Sequence, residues 1–468
     1  MSLAISLFRV LSLGLILFVA TPSCFAQSSD MEVKLDSVLS AWNGADRPGM
    51  AVAYFEDGKT VISKGYGLSN LEHGIAWTTD TVSDLGSVSK QFIGFAMVLL
   101  EEKGMLSLQD DIRKHLPELP MFETPITIDD LIYHRSGLRE IYNTLAMVNW
   151  RSGDGIFQEH AQTLVRHQTE LQFPAGSRYL YNNTEYMLLA DIVEVVSGME
   201  FHDWMRENIF EPLDMLDTTI MVRQGQVIPR AATSYSRDRE GEWNQVYDNS
   251  TIQGAGGIYS TVEDLGRWIQ NFSTHKVGTE ATVQALVTQG FLTNGEEIDY
   301  ARGIVVSDMG GALSWGHSGA SAGYRSLLVY LPEHNRGFVV LTNTPLANNP
   351  TNGLAQIFFA GVVETLDDGV SSSVPEEVES RLEKPESFVG TYLSDELQVF
   401  YEVVEQNGDL VLAHRWLSRF SLIHRGDDRF EMQPGGGTIS FNRNDSGSIA
   451  GFIWDDGRTI GVEFRSYE

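Results

Sequence analysis

The spacing of apolar residues changes twice along this chain, and the order of those changes restricts the fold more than any other feature. From Gly49 to Tyr66 apolar and polar residues alternate about Glu56-Asp57-Gly58-Lys59, the pattern of a β-hairpin closed by an Asp-Gly turn. From Lys90 the period becomes helical: Ile93, Ala96, Met97 and Leu100 follow the i, i+3, i+4, i+7 rule, and Lys103-Gly104 supplies a stop. Further helices are predicted at Ile128–His134, where Thr127 and Asp130 form a capping box, and at Glu185–Ser197 ahead of Gly198. Another is predicted at Val262–Asn271 after Ser260, which pairs with Glu263. Strand alternation returns at Tyr324–Leu331 and Gly337–Thr342, so sheet flanks a helical middle.

A second region follows. Residues 367–387 are rich in Ser, Glu and Pro, hold few large apolar residues and keep no period, which reads as a linker. Beyond it, 388–468 consists of short alternating segments punctuated by Asn407-Gly408, Gly435-Gly436-Gly437 and Asp456-Gly457, the pattern of a small antiparallel barrel or sandwich.

Residues 1–26 read as a secretory signal: Arg9, an apolar run over Val10–Ala20, and small residues ending at Ala26. The run is too short for a comfortable membrane span, and no later stretch is long and apolar enough for one. Export to the periplasm or outside the cell is the expectation, with a lipid anchor on Cys24 the less favoured alternative because Thr21 and Pro22 make a poor acylation signal. The one cysteine leaves with the leader, so the mature chain has no disulfide and depends on packing. The chain carries 33 Lys and Arg against 63 Asp and Glu. That balance argues against nucleic acid and anionic membranes as partners, since both need a basic face.

Three short patterns could carry chemistry. In Ser87-Val88-Ser89-Lys90 the i, i+3 spacing puts a hydroxyl and an amine on one helical face, and an amine made less basic by burial can take the serine's proton. Ser273-Thr274-His275-Lys276 has the same spacing but reads as a surface helix end. Tyr181-Asn182-Asn183 offers a phenol that could act as general base if an ammonium held it as phenolate, and an amide for a substrate carbonyl and Lys90. Alternatively it is a packed tyrosine beside a helix-capping asparagine, and Tyr247-Asp248-Asn249 repeats the pattern. His317-Ser318-Gly319 leads into the Tyr324 strand, where a glycine lets substrate backbone approach and His317 can offer a hydrogen bond or a charge to a carboxylate. His424-Arg425-Gly426 repeats that pattern in the second region.

Taken in order, S-x-x-K, Y-x-N and H-x-G resemble the serine β-lactamase-like superfamily, in particular its class C β-lactamases, D-alanyl-D-alanine carboxypeptidases, D-aminopeptidases and related esterases. His134-Arg135-Ser136-Gly137-Leu138 and Gly254-Ala255-Gly256-Gly257-Ile258-Tyr259-Ser260-Thr261 look like loops of that group, and the region from Phe388 resembles its appended lipocalin-like barrels. The resemblance implies an α/β fold, an antiparallel sheet flanked by helices with a helical subdomain, over 27–366. It makes Ser87 the acylated nucleophile, Lys90 and Tyr181 the proton-transfer pair, and Asn183, His317 and Gly319 substrate contacts. The oxyanion hole would be the N–H groups of Ser87 and Ala320. His317 stands where class C lactamases carry the lysine of K-T-G, which favours peptidases and esterases over efficient β-lactamases.

Gly319-Ala320-Ser321-Ala322-Gly323 matches the G-x-S-x-G elbow, but a strand-like segment follows where that motif needs a helix, so Ser321 reads as a turn residue. The histidines form no H-x-x-x-H or H-E-x-x-H pair, so neither metal nor cofactor is expected. The function implied is an exported serine hydrolase acting on a D-amino-acid peptide, a β-lactam or a small ester. The alternative is a penicillin-binding or scaffold protein with little turnover. Oligomeric state is not legible.

Overall fold

The structure is a computed structural model describing residues 22–151, 153–345, 350–364, 382, 384–414, 418–435 and 437–467, with side chains from residue 30. The leader up to Thr21 and most of the linker expected over 367–387 lie outside the described residues. Within them, no helix is long and apolar enough to cross a membrane.

Both stretches of strand alternation enter one six-stranded antiparallel sheet. Its order is Val305–Met309, Ala312–Ser321, Tyr324–Leu331, Arg336–Thr342, Met50–Glu56, Lys59–Tyr66. The hairpin at the start of the chain thus pairs with a strand nearly three hundred residues on, from Met50↔Thr342 to Glu56↔Arg336, and Arg336 donates to the Glu56 carboxylate at 2.8 Å across the last rung.

A two-residue period gives the sheet two faces. Met50, Val52 and Tyr54 pack against the helices Pro22–Val38 and Thr351–Phe358, with Tyr54 stacked on Phe358 at 4.9 Å. Ala51, Ala53 and Phe55 face the main core. There the helix Val262–Thr274 crosses so closely that a Cβ on Gly266 would sit 2.2 Å from the Phe55 ring. A glycine inside a helix costs about 1 kcal/mol, and here only glycine admits the ring.

The apolar run after Ser87 forms the helix Lys90–Glu102, buried from Lys90 to Leu100. Phe92 and Phe95 meet Trp268 at 4.4 and 5.2 Å, which ties this helix to the one on the sheet. The capping box at Thr127 and Asp130 is present, and the helix Asn183–Ser197 ends at Gly198 in the left-handed conformation with φ 69°. One cap differs from expectation: Thr261, not Ser260, accepts the N–H of Asp264, because Ser260 is the last residue of a strand.

The C-terminal region is an eight-stranded closed antiparallel barrel from Gly390 to Tyr467, which leaves no open sheet edge. Its interior holds Tyr401, Phe430, Phe452, Trp454 and Phe464, and Met147 of the helix Ile141–Met147 joins that cluster. Tyr401 donates to the Met147 carbonyl at 3.0 Å. Arg139 grips Glu396 through two hydrogen bonds of 2.5 and 2.8 Å. The hairpin tip Asp456–Thr459 presses into the helical region: a Cβ on Gly457 would lie 2.9 Å from the Asn143 amide, and Thr459 exchanges hydrogen bonds of 3.0 and 3.1 Å with the Glu140 backbone.

A barrel held through a buried ion pair is not a freely hung module. Glu396→Ala strands the Arg139 guanidinium at a site where it is 6% exposed, and should cost about 3–5 kcal/mol. Urea unfolding monitored by tryptophan fluorescence should show a lowered midpoint with the barrel melting apart from the larger domain. An unchanged curve would mean that the pair contributes nothing to docking.

Candidate active site

Ser87 sits in the single 3-10 turn Gly86–Ser89, which runs straight into the helix Lys90–Glu102. Gly86 has φ +48°, and a Cβ there would come within 2.7 Å of the Ala320 nitrogen. The approach lets the Ser87 turn lie against the strand Ala312–Ser321, whose half beyond Gly316 has no partner on its outer side because the strand Val305–Met309 pairs only with 312–316. A Cβ on Gly319 would in turn lie 3.0 Å from the Ser87 nitrogen. The N–H groups of Ser87 and Ala320 therefore belong to two backbones in contact.

Lys90 is fully buried. Its Nζ lies 3.0 Å from Ser87 Oγ, 2.8 Å from Asn183 Oδ1 and 2.8 Å from the Ala255 carbonyl. Burial, then the charge of Arg458, hold the amine well below its ordinary range, against the pull of Glu140 and Glu185. A neutral amine has two N–H donors and one lone pair, which matches this environment: the carbonyls of Asn183 and Ala255 accept, and the lone pair faces the Ser87 hydroxyl. Asn183 is locked in turn, its amide donating to Glu140 Oε1 at 2.6 Å. The cap of this helix is Asn182, which accepts the Thr184 N–H, so Asn183 is left for Lys90.

Tyr181 lies with its ring centroid 4.9 Å from Lys90 Nζ. Its buried hydroxyl has no hydrogen-bond partner among the described residues, and Ser87 is the side chain that most favours its ionised form. Burial outweighs that effect and pushes the phenol up. Beside a neutral Lys90 no ammonium holds Tyr181 as phenolate. The burial of both groups favours the neutral phenol over the phenolate that a general-base role for Tyr181 would need.

His317 is placed on the same cleft but cannot supply the charge expected of it. Burial and the nearby Lys90 lower it to about 4. Its Nδ1 lies 2.6 Å from the Ser318 carbonyl, which can only accept, so Nδ1 carries the proton and Nε2 accepts from the Tyr300 hydroxyl at 3.1 Å. Both nitrogens are committed. His317 shapes the wall behind Gly319, and the cation in the cleft comes from elsewhere.

Arg151, Arg325 and Arg458 all line the cleft, and the one set beside Tyr181 is Arg458, at the tip of a barrel hairpin. Its guanidinium lies 5.3 Å from the Tyr181 ring and 3.7 Å from Glu140 Oε1. With Ser87, Tyr181, Asn183, His317 and Gly319 it lines one cleft of about 960 Å³. Nothing near Arg458 in sequence marks it, since Asp456-Gly457 signals only a turn. Glu140 is equally hidden, although it lies two residues past the stretch His134–Leu138.

The similar patterns fall elsewhere. Lys276 is half-exposed and pairs with Asp214, and His275 is the helix cap. Tyr247 is 60% exposed at the rim of the cleft. His424 lies in the barrel. Ser321 ends its strand, with Ala322-Gly323 turning into the strand Tyr324–Leu331, so no elbow forms.

Residues 35–357 match the Beta-lactamase family model. The chain is 26% identical over 424 residues to penicillin-binding protein 4* of Bacillus subtilis (strain 168), covering 86% of this chain and 92% of that protein. It is 26% identical over 373 residues to the D-aminopeptidase of Gluconobacter oxydans (strain 621H), covering 79% and 67% respectively. Among solved structures, SurE superposes with a TM-score of 0.61 at 20% identity over 95% of this chain and 99% of that one. The octameric penicillin-binding protein homologue from Pyrococcus abyssi gives 0.59 at 21% identity over 93% and 99%. These two likenesses speak to the fold, barrel included. With a serine and a buried lysine joined at the head of one helix, and a family match over most of its length, the chain belongs to the β-lactamase family.

Proposed function

We propose that the protein is an exported serine hydrolase that opens amide bonds at D-amino acids through a Ser87 acyl-enzyme. The observation that carries this reading is the buried Lys90 amine, 3.0 Å from Ser87 Oγ and held well below its ordinary range by burial. In acylation Lys90 takes the Ser87 proton as Oγ attacks the carbonyl carbon. The N–H groups of Ser87 and Ala320 receive the developing oxyanion. As the carbon–nitrogen bond breaks, the Tyr181 hydroxyl passes a proton to the leaving amine and is reprotonated from Lys90. Water, deprotonated by the same pair, then hydrolyses the ester and restores Ser87. The D-amino-acid preference draws on the named relatives, and export on the leader-like start of the chain.

Arg458 gives the substrate its second handle. Its side chain is 35% exposed, and its contact with Glu140 is too long for a hydrogen bond. A carboxylate on the substrate can take its guanidinium in a forked pair. That supports acyl chains or leaving groups bearing a carboxylate.

The experiment is a panel of D-alanyl-D-alanine peptide, D-amino-acid amide, penicillin and p-nitrophenyl ester, with Ser87→Ala as the inactive control. Turnover of the D-amino-acid amide or peptide by wild type alone supports the proposal. Stoichiometric penicillin labelling without turnover of any of the four would favour a penicillin-binding role.

Lys90→Ala and Tyr181→Phe should each slow acylation by about 10²-fold or more, and the double variant little further, because both serve one proton transfer. Losses that multiply would show independent roles. Wild-type acylation should fall as pH drops through the lowered titration of Lys90, since the protonated amine has no lone pair to offer.

Arg458→Ala should raise KM for carboxylate substrates by roughly 10–100-fold while sparing neutral esters. The same variant should move the acidic limb of the pH profile upward, because the charge that discourages protonation of Lys90 is gone. Equal losses on both substrate types with an unmoved limb would remove Arg458 from both roles.

A further inference from the structure

Three side chains that the reaction does not use meet at the far end of the strand Ala312–Ser321. Asp84, in the two-residue strand just before the Ser87 turn, is 1% exposed. Its Oδ1 accepts the Gly86 N–H at 2.8 Å. Its Oδ2 is buried without a hydrogen-bond partner among the described residues, and faces the Asp248 carboxylate and the Ser321 hydroxyl. Ser321 donates to Asp248 Oδ2. Two acids from distant parts of the chain thus converge on one hydroxyl.

Among the described residues neither acid has an ion-pair partner. The charge acting on Asp84 is that of Asp248. The other titratable groups facing the pair are phenols: Tyr142 from the helix Ile141–Met147, Tyr259 from the strand Ile258–Ser260 and Tyr324 from the strand Tyr324–Leu331, all pushed up by burial first and by these acids second. Arg325, on the same hairpin as Ser321, gives its guanidinium to the carbonyls of Ala322 and Tyr324. Asp84 is buried and Asp248 stands on the cleft wall, and two carboxylates brought together beside one hydroxyl with no ion-pair partner repel each other unless one of them holds a proton, which then bridges them.

We propose that Asp84 and Asp248 share one proton, and that this proton ties the end of the strand carrying Ala320 to the turn carrying Ser87. The two acids are positioning residues for the oxyanion hole. The linkage is short at every step. Asp84 holds the turn through Gly86, Asp248 holds the strand through Ser321, and Gly86 is already in contact with Ala320. Losing the proton sets two like charges against each other at that seam and draws apart the N–H groups that receive the oxyanion. Burial and the Asp248 charge raise Asp84 to about 7. Because this folded-state value is raised, the tie is complete at acid pH and is lost as pH rises through about 7. The limb it produces falls on the alkaline side, opposite to the Lys90 limb.

This rests on the acyl-enzyme reading of Ser87, so the test has one arm that needs no catalysis. In the full-length protein, infrared difference spectroscopy should find the carbonyl stretch of a buried protonated carboxyl, disappearing as pH passes about 7 and absent from Asp84→Asn. In the second arm, acylation of wild type by a chromogenic substrate should fall roughly tenfold over the same interval, less than the 10²–10³ lost with a whole oxyanion donor. Asp84→Asn keeps an acceptor for Gly86 and a permanent donor to Asp248, and should hold its rate across that limb. Asp84→Ala keeps neither and should be slow at every pH. Absence of the band overturns the shared proton. A titrating band with an unchanged alkaline limb in Asp84→Asn overturns the positioning role. If wild type acylates no more than Ser87→Ala does, the Ser87 reading has failed and the positioning role with it, and the band alone decides the shared proton.

Discussion

The site depends on keeping one amine uncharged where water cannot reach it. An ammonium at Lys90 would carry its full desolvation penalty, so the surroundings are arranged to satisfy the neutral form: two carbonyl acceptors, a hydroxyl for the lone pair and a guanidinium nearby that discourages protonation. Each of those groups comes from a different element. Holding them together requires the helix Lys90–Glu102 to be gripped by Trp268, the Asn183 amide to be fixed by Glu140, and the barrel to be seated on the helical region. Much of the architecture can be read as the means of keeping that amine dry and uncharged.

Where periodicity or local chemistry dictates structure, the chain was readable. Ile93, Ala96, Met97 and Leu100 announce a buried helix because nothing else hides that stripe, and Thr127-Asp130 and Gly198 mark helix ends by their own hydrogen bonds and backbone freedom. The three patterns carrying Ser87, Tyr181 and His317 do converge on one cleft. The cap at Thr261 was misread by one residue because Ser260 and Thr261 both suit an N-cap, and only the strand ending at Ser260 decides between them. The strand Val305–Met309 carries Ser307 and Asp308 at an edge, which dilutes the alternation that would have exposed it.

Protonation was the least legible property, because it depends on distant neighbours. A histidine in H-x-G suggests a charge, and a tyrosine near a lysine suggests a phenolate. Burial works against both: it lowers His317, whose nitrogens meet Ser318 and Tyr300, and it pushes the Tyr181 phenol up. Arg458 lies almost three hundred residues from Tyr181, and no local pattern connects them. Nor does any local pattern announce that Met147, from the helix Ile141–Met147, is a core residue of the barrel cluster.

The hairpin that brings Arg458 to the cleft continues into the strand Thr459–Tyr467, which closes the barrel by pairing with Gly390–Ser394. Seating the arginine and sealing the barrel are therefore one event in assembly. A ribosome that has released Ser87, Lys90 and Tyr181 has produced the side chains of the proposed reaction without the cation beside them. During synthesis, the region around Lys90 can collapse before the charge that discourages its protonation arrives, so the chain passes through a stage in which Ser87 is present and the amine beside it is harder to keep uncharged.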